Sequence, residues 1–192
     1  MGFRSRSSSI NSLTKRISWH RRTSDASTQQ TLCDSQPAAL KTPDDFAWVP
    51  AISGHIPLNA VQGGVERTGE PLFICRAYYR DGLHPGRAGR HLRTGASIGY
   101  GWQEVDVTEC QVLCGQGARL RWVAQEGPLE INGFVPLLAG FEHTGEPLYV
   151  AKAVLGGAQQ LGKCGVHIKH GASFAFNGRE KAVAEYMVLA YV

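Results

Sequence analysis

The chain has 192 residues, of which 43% are apolar and 19% charged, enough for one or two small domains with a buried core. Its 23 glycines are about twice the usual share, which favours tight turns and strands over long helices. Residues 47–192 carry 13 basic against 12 acidic side chains, so this near-neutral body is not expected to bind nucleic acid. No apolar stretch approaches the roughly 20 residues of a membrane-spanning helix.

Residues 1–46 are rich in Ser, Thr and Arg, and they contain few large apolar groups. This composition predicts a disordered basic tail, because too little apolar surface is available to offset the entropy of ordering the chain. Ile10, Leu13 and Ile17 fall on one helical stripe among basic residues, a pattern typical of a mitochondrial presequence or of a helix that binds an anionic membrane surface. The segment 21–24 places hydroxyls beside arginines, as basophilic kinases prefer.

The rest of the chain is an internal duplication. Thr68-Gly-Glu-Pro-Leu-Phe73 recurs as Thr144-Gly-Glu-Pro-Leu-Tyr149, and the gap-free alignment at this spacing holds over 64–116 against 140–192. We place the first repeat at 47–116 and the second at 117–192. Each copy is small for an independent core, so we expect the two to share one core through a pseudo-twofold axis.

Three pairs of segments predict strands. Phe73–Tyr79 and its copy Tyr149–Leu155 are rich in aromatic and β-branched residues, and each follows a Gly-Glu-Pro turn. Segments 95–98 and 110–113, with their copies 171–174 and 186–189, give the other two pairs. Residues 179–189 could form a helix if read alone, but their copy contains several valines and a threonine that favour a strand. The predicted fold class is all-β.

Many separated motifs occur in the same order as in one known family. The body carries these elements: Trp48-Val-Pro, Gly54-His-Ile-Pro-Leu-Asn-Ala-Val61, Gly63-Gly64-Val-Glu66, Gly69-Glu-Pro-Leu-Phe-Ile-Cys-Arg-Ala77, Pro85-Gly-Arg87, His91 and Glu109-Cys-Gln-Val-Leu-Cys-Gly115. In them the chain resembles the DM-nine repeat family, tandem-repeat proteins that include invertebrate mannose-binding lectins. The resemblance covers the body and none of the tail.

The resemblance implies an all-β, pseudo-symmetric protein, often dimeric, that binds mannose-type sugars without calcium or another cofactor. In the family's lectins, an acidic residue after the Gly-Gly pair and a lysine in the Pro-Gly-Lys turn contact the sugar. These positions correspond to Glu66 and Arg87 in the first repeat, and to Glu142 and Lys163 in the second. Arg87 replaces the lysine and Leu161 replaces the proline. The guanidinium group of arginine is planar and has several donors, whereas lysine has a compact ammonium group. Glu142 with Lys163 is therefore the closer match to the family's sugar-binding pair.

Without the resemblance, each acid–cation pair would be read as a salt bridge beside a turn. Cys164, His167 and His170 have the side chains that zinc favours, but the first repeat keeps only the histidine. No metal is therefore expected. Gly95-Ala-Ser-Ile-Gly99 fits a nucleophile elbow, yet that motif needs a strand-to-helix turn in an α/β sheet.

His91 with Glu104, and His167 with Glu180, recur in both copies as candidate acid–base pairs, but no third group defines a reaction. We predict that the protein is not an enzyme. Trp48 and Trp122 are expected to anchor the core, with sugar stacking as the alternative.

The function predicted from these observations is a metal-independent, mannose-type lectin with a role in recognition or defence. The alternative is an intracellular protein-interaction or stress-response module that kept the fold without sugar binding. Predicted partners are mannose-containing glycans and a second copy of the chain, with kinases or an anionic membrane surface as partners of the tail. Five cysteines without a CxxC pair favour a cytoplasmic location, or a mitochondrial one if residues 1–30 act as a presequence.

Overall fold

A computed structural model describes residues 45–192, and this part of the chain is all-β, as predicted. Two consecutive sets of seven strands are joined by a short 3-10 turn at Gly117–Arg119. The first set is β1 (Phe46–Ile52), β2 (Gln62–Val65), β3 (Pro71–Tyr79), β4 (Gly82–Ala88), β5 (Ala96–Tyr100), β6 (Gln103–Val107) and β7 (Glu109–Gly115). The second set is β8 (Leu120–Glu126), β9 (Leu138–Phe141), β10 (Pro147–Leu155), β11 (Ala158–Cys164), β12 (Ala172–Phe176), β13 (Arg179–Val183) and β14 (Glu185–Tyr191).

The predictions for residues 1–44 fall outside the described residues, and the predicted repeat bounds stay predictions. Phe46, assigned to the disordered tail, instead begins β1 and is buried. The three predicted strand pairs lie in β3 and β10, β5 and β12, and β7 and β14. The ambiguous segment 179–189 forms strands β13 and β14, as its copy indicated. Within the described residues, no helix is long and apolar enough to cross a membrane.

The strand pairing of one repeat is reproduced in the other, which confirms the pseudo-twofold symmetry. In β3 and β7, Cys75 lies opposite Val112, and in β10 and β14, Ala151 lies opposite Val188. The two repeats are also hydrogen-bonded to each other, because β2 pairs with β11, β9 with β4, and β6 with β13. With the β3–β4 and β10–β11 pairings, these contacts close the sheet on itself.

Two glycines permit the close contact between the repeats. A Cβ atom added at Gly64 would lie 2.1 Å from the carbonyl oxygen of Gln159, and one at Gly140 would lie 1.8 Å from that of Leu83. Real side chains do not approach backbone atoms this closely, so both positions require glycine. The second glycine of the Gly-Gly motif is therefore explained by interlocking of the two repeats.

Two smaller core clusters each lie within one repeat, whereas the largest is shared between the repeats, as predicted. The shared cluster contains Leu72 and Ile74 from the first repeat, packed with Val150 and Leu161 from the second. Fully burying each such side chain stabilises the fold by about 1.5–3 kcal/mol. Trp48 and Trp122 are partly buried and pack against this cluster.

Candidate functional site

The first acid–cation cluster surrounds Arg87, which projects from β4 and is 7% exposed. Its Nε donates a hydrogen bond to Ser97 Oγ at 2.9 Å, and its Nη2 donates to Glu104 Oε1 at 2.6 Å. Its Nη1 lies 3.3 Å from Glu66 Oε1 and also donates to Gln160 Oε1. The amide nitrogen of Gln160 donates to Glu66 Oε2 at 2.8 Å, which closes the network. Most hydrogen-bonding capacity of this arginine is thus used within the protein.

The second cluster surrounds Lys163 on β11, which is 5% exposed. Its Nζ lies 3.2 Å from Glu142 Oε1, 3.4 Å from His84 Nδ1 and 3.7 Å from Glu180 Oε1. It also stands 5.6 Å from the centre of the Tyr100 ring. These contacts are longer than the 2.7–2.9 Å of a strong charge-assisted hydrogen bond, so the ammonium group is held loosely.

Each cluster is completed by the opposite repeat. Gln160 belongs to the second repeat and enters the first cluster, whereas His84 belongs to the first repeat and enters the second cluster. The pairings of β4 with β9 and of β11 with β2 place these two side chains beside the carboxylates of the other copy. Both side chains are fully buried. The two sites therefore form only when the repeats are assembled.

Backbone donors fix the second carboxylate of each cluster across the same boundary. The amide of Gly178 donates to Glu104 Oε2 at 2.7 Å, and the amide of Trp102 donates to Glu180 Oε2 at 2.9 Å. Such bonds orient the carboxylates toward their cations.

His84 is neutral in the second cluster. Burial and the neighbouring charge of Lys163 lower the pKa of His84 to about 4. Its Nε2 lies 3.2 Å from the carbonyl oxygen of Tyr79, which can only accept a hydrogen bond. Nε2 therefore carries the proton, and Nδ1 presents a lone pair to the ammonium group of Lys163.

Both acid–cation pairs predicted from the sequence are thus brought together, but four partners were missed. His84 and Gln160 come from the opposite repeat, and Glu104 and Glu180 contact the cations instead of serving the recurring histidines. His91 Nε2 instead lies 3.8 Å from Glu66 Oε1, and the equivalent contact joins His167 to Glu142. The available signal was a polar residue at the same position of both copies, His84 in β4 and Gln160 in β11.

The remaining motif residues have separate contacts. The thiol of Cys164 is buried and points to the carbonyl oxygen of Tyr149, while His170 Nε2 lies 3.0 Å from Ser173 Oγ. Across residues 45–192, no group of three or more metal-binding side chains is arranged to hold an ion. Ser97 of the Gly-x-Ser-x-Gly motif lies in a strand and accepts the bond from Arg87.

This duplicated all-β architecture, with one acid–cation cluster per repeat, defines a class of tandem-repeat protein. The profile of the DM9 repeat matches residues 9–107 and 82–183, and the chain belongs to the DM9 repeat family. The sequence-based recognition of this family is therefore confirmed, but the first match begins at residue 9 and so includes part of the segment that the resemblance was expected to leave out.

The fold is also found in a solved structure, the crystal structure of the nematode sperm cell motility protein MFP2B. The identity is 17%, the TM-score is 0.56, and the match covers 83% of this chain and 50% of that one. The chain thus spans about half the length of MFP2B, and the likeness is one of fold. A comparison with curated proteins gave no match.

Proposed function

We propose that the protein is a metal-independent lectin that binds mannose-type sugars at the cluster of Lys163 and Glu142. The observation that carries this proposal is the loosely held ammonium group beside a partly exposed carboxylate, at the positions where the family's lectins contact sugar. A carboxylate accepts hydrogen bonds from two neighbouring hydroxyls, and an ammonium group donates to their lone pairs. Such charge-assisted bonds compensate for the desolvation of both partners.

The two clusters differ in how tightly their groups are bound, since the side chains of Glu142 and Glu66 are similarly exposed, at 18% and 20%. In the second cluster, Nε2 of His167 is buried 3.8 Å from Glu142 without a hydrogen-bond partner among residues 45–192, and His84 Nδ1 lies 3.4 Å from Lys163 and 3.7 Å from Glu142. In the first cluster, Gln160 already bridges Glu66 and Arg87, so an amide group occupies the positions that sugar hydroxyls would take. We therefore assign binding to the second cluster.

The test is calorimetric titration of the intact chain with a mannose trisaccharide in EDTA, beside the variant Glu142→Gln. Glu142→Gln keeps the size of the side chain and removes its charge. Saturable binding by the parent chain, with an affinity at least about tenfold weaker in the variant, supports the proposal. The absence of saturable heat for the parent chain would contradict it.

The alternative function is a protein-interaction module that kept the fold. The internally closed first cluster favours it, and MFP2B, which shares the fold, is described as a motility protein. Cytoplasmic location and homodimer formation belong to both proposals. Within residues 45–192, the cysteines at positions 75, 110, 114 and 164 are free thiols, which supports the location.

A further inference from the structure

Two surface grooves lie at equivalent positions in the repeats and share no residue with the acid–cation clusters. The first groove has a volume of about 440 Å³ and is lined by residues 50–52, 76–78, 109–111 and His55. The second groove has a volume of about 700 Å³ and is lined by residues 124–126, 152–154, 185–187 and Gln159. Cavities of this size accommodate small organic ligands.

Each groove contains a cation stacked on a tryptophan. The guanidinium carbon of Arg76 lies 4.3 Å from the centre of the Trp48 ring, and Nζ of Lys152 lies 4.2 Å from that of Trp122. The stacking holds each cation in a fixed place without neutralising its charge. The duplication has therefore kept a positive charge at the same point of both grooves.

Neither cation has a counter-ion within the described part of the chain. Arg76 is 3% exposed, and its Nε donates to Gln111 Oε1 at 2.7 Å and its Nη1 to the carbonyl oxygen of Ala139 at 3.3 Å. Both acceptors are uncharged. Burial lowers the pKa of Arg76 to about 10 and also lowers that of Lys152. A buried charge without a partner is costly, and an anionic ligand would supply the missing partner.

The rims of the two grooves differ in charge. The first groove has one carboxylate, that of Glu109. The second has two, because Glu126 and Glu185 lie directly opposite each other in the pairing of β8 with β14. The first groove is therefore the one better suited to an anion. It also exposes apolar surface on Ile52 and Tyr78, each 59% exposed.

We propose that the first groove binds an organic carboxylate carried on a ring, as in a sugar acid. The planar guanidinium of Arg76 matches a carboxylate, which accepts two N–H donors side by side. The ring of the ligand packs against Tyr78 and Ile52, and the carboxylate of Glu109 lies at the rim as the one like charge. This site is distinct from the proposed mannose site and does not depend on it.

The test is a titration of the isotope-labelled full chain, followed by amide NMR signals. D-glucuronate is the probe, methyl glucoside is its uncharged control, and acetate presents the carboxylate without the ring. We expect glucuronate to shift signals of residues 51–52, 76–78 and 109–111 and to leave 124–126 and 152–154 unchanged. Acetate should shift the same signals with an affinity about tenfold weaker, and the glucoside should shift none.

Two variants test the assignment to Arg76. Arg76→Lys places in the first groove the cation that Lys152 supplies in the second, so the fold should be kept, and glucuronate should bind about fivefold more weakly because a bidentate contact is lost. Glu109→Gln removes the like charge at the rim and should strengthen binding about threefold. Equal shifts with methyl glucoside, equal affinity for acetate, or unchanged affinity in both variants would overturn the proposal.

Discussion

Replacing Lys163 by alanine should weaken mannose binding more than replacing Arg87 does, whereas replacing Arg87 should cost more stability. Lys163 contacts its neighbours at 3.2–3.7 Å and would donate charge-assisted bonds to sugar hydroxyls. Such bonds contribute about 1.5–3 kcal/mol, so Lys163→Ala should weaken binding about 10- to 100-fold. Arg87 bonds to four side chains of its own protein, and its loss leaves Glu66 and Glu104 without their cation. That loss should cost about 3 kcal/mol of stability.

The assay measures the Kd for a mannose trisaccharide by calorimetry in EDTA and the free energy of unfolding by urea titration, for each variant. Arg87→Ala should change the Kd less than about threefold. Arg87→Lys, which recreates the side chain of the second cluster, is the control that keeps the charge. Equal losses of binding in Lys163→Ala and Arg87→Ala, or unchanged binding in Lys163→Ala, would refute the reasoning.

Three other predictions concern the contacts between the repeats. Gln160→Ala removes the amide that bridges Glu66 and Arg87 in the first cluster, so it should raise the calorimetric stoichiometry from one sugar per chain to two. An unchanged stoichiometry would contradict the idea that Gln160 blocks sugar binding there. The pKa of His84 is lowered to about 4, so between its ordinary value near 6.5 and pH 4 the unfolded chain binds the proton more tightly, and stability falls as the pH falls. Urea titrations at pH 7 and 4.5 should show a smaller loss for His84→Gln than for the parent chain, and equal losses would contradict the assignment. Gly140→Ala should cost more than about 2 kcal/mol of stability, because its Cβ would meet a backbone carbonyl. The control Gly117→Ala, with its nearest contact at 3.6 Å, should change stability by less than about 0.5 kcal/mol. Similar thermal melting of the two variants would count against the interlocked repeats.

Much of the fold followed from the duplication, because two copies of one segment must share a conformation. The spacing of 76 residues predicted that 179–189 would form strands, against its helical appearance, and both strands are present. The cross-repeat pairings of β2 with β11 and of β9 with β4 were not predictable in this way. They depend on close backbone contact at Gly64 and Gly140, and a glycine in a sequence does not say which strand approaches it.

Half of the charged and polar side chains that form the two clusters were predicted as site residues. The family positions supplied the two acid–cation pairs, and their distances of 3.3 and 3.2 Å agree with that pairing. His84 and Gln160 could not be assigned from the sequence, because each acts in the cluster of the other repeat. Gln160 stands 76 residues after His84, at the equivalent position of the second repeat. The residue type differs between the copies, so self-comparison of the chain gave no reason to assign a histidine and a glutamine to the same role.

The most direct test of the central claim is a glycan array probed with the intact chain in EDTA, beside Glu142→Gln. Mannose-terminated glycans should bind the parent chain, other terminal hexoses should bind less, and Glu142→Gln should lose the mannose signal. Binding that requires added calcium, or an array without mannose signal, would contradict it.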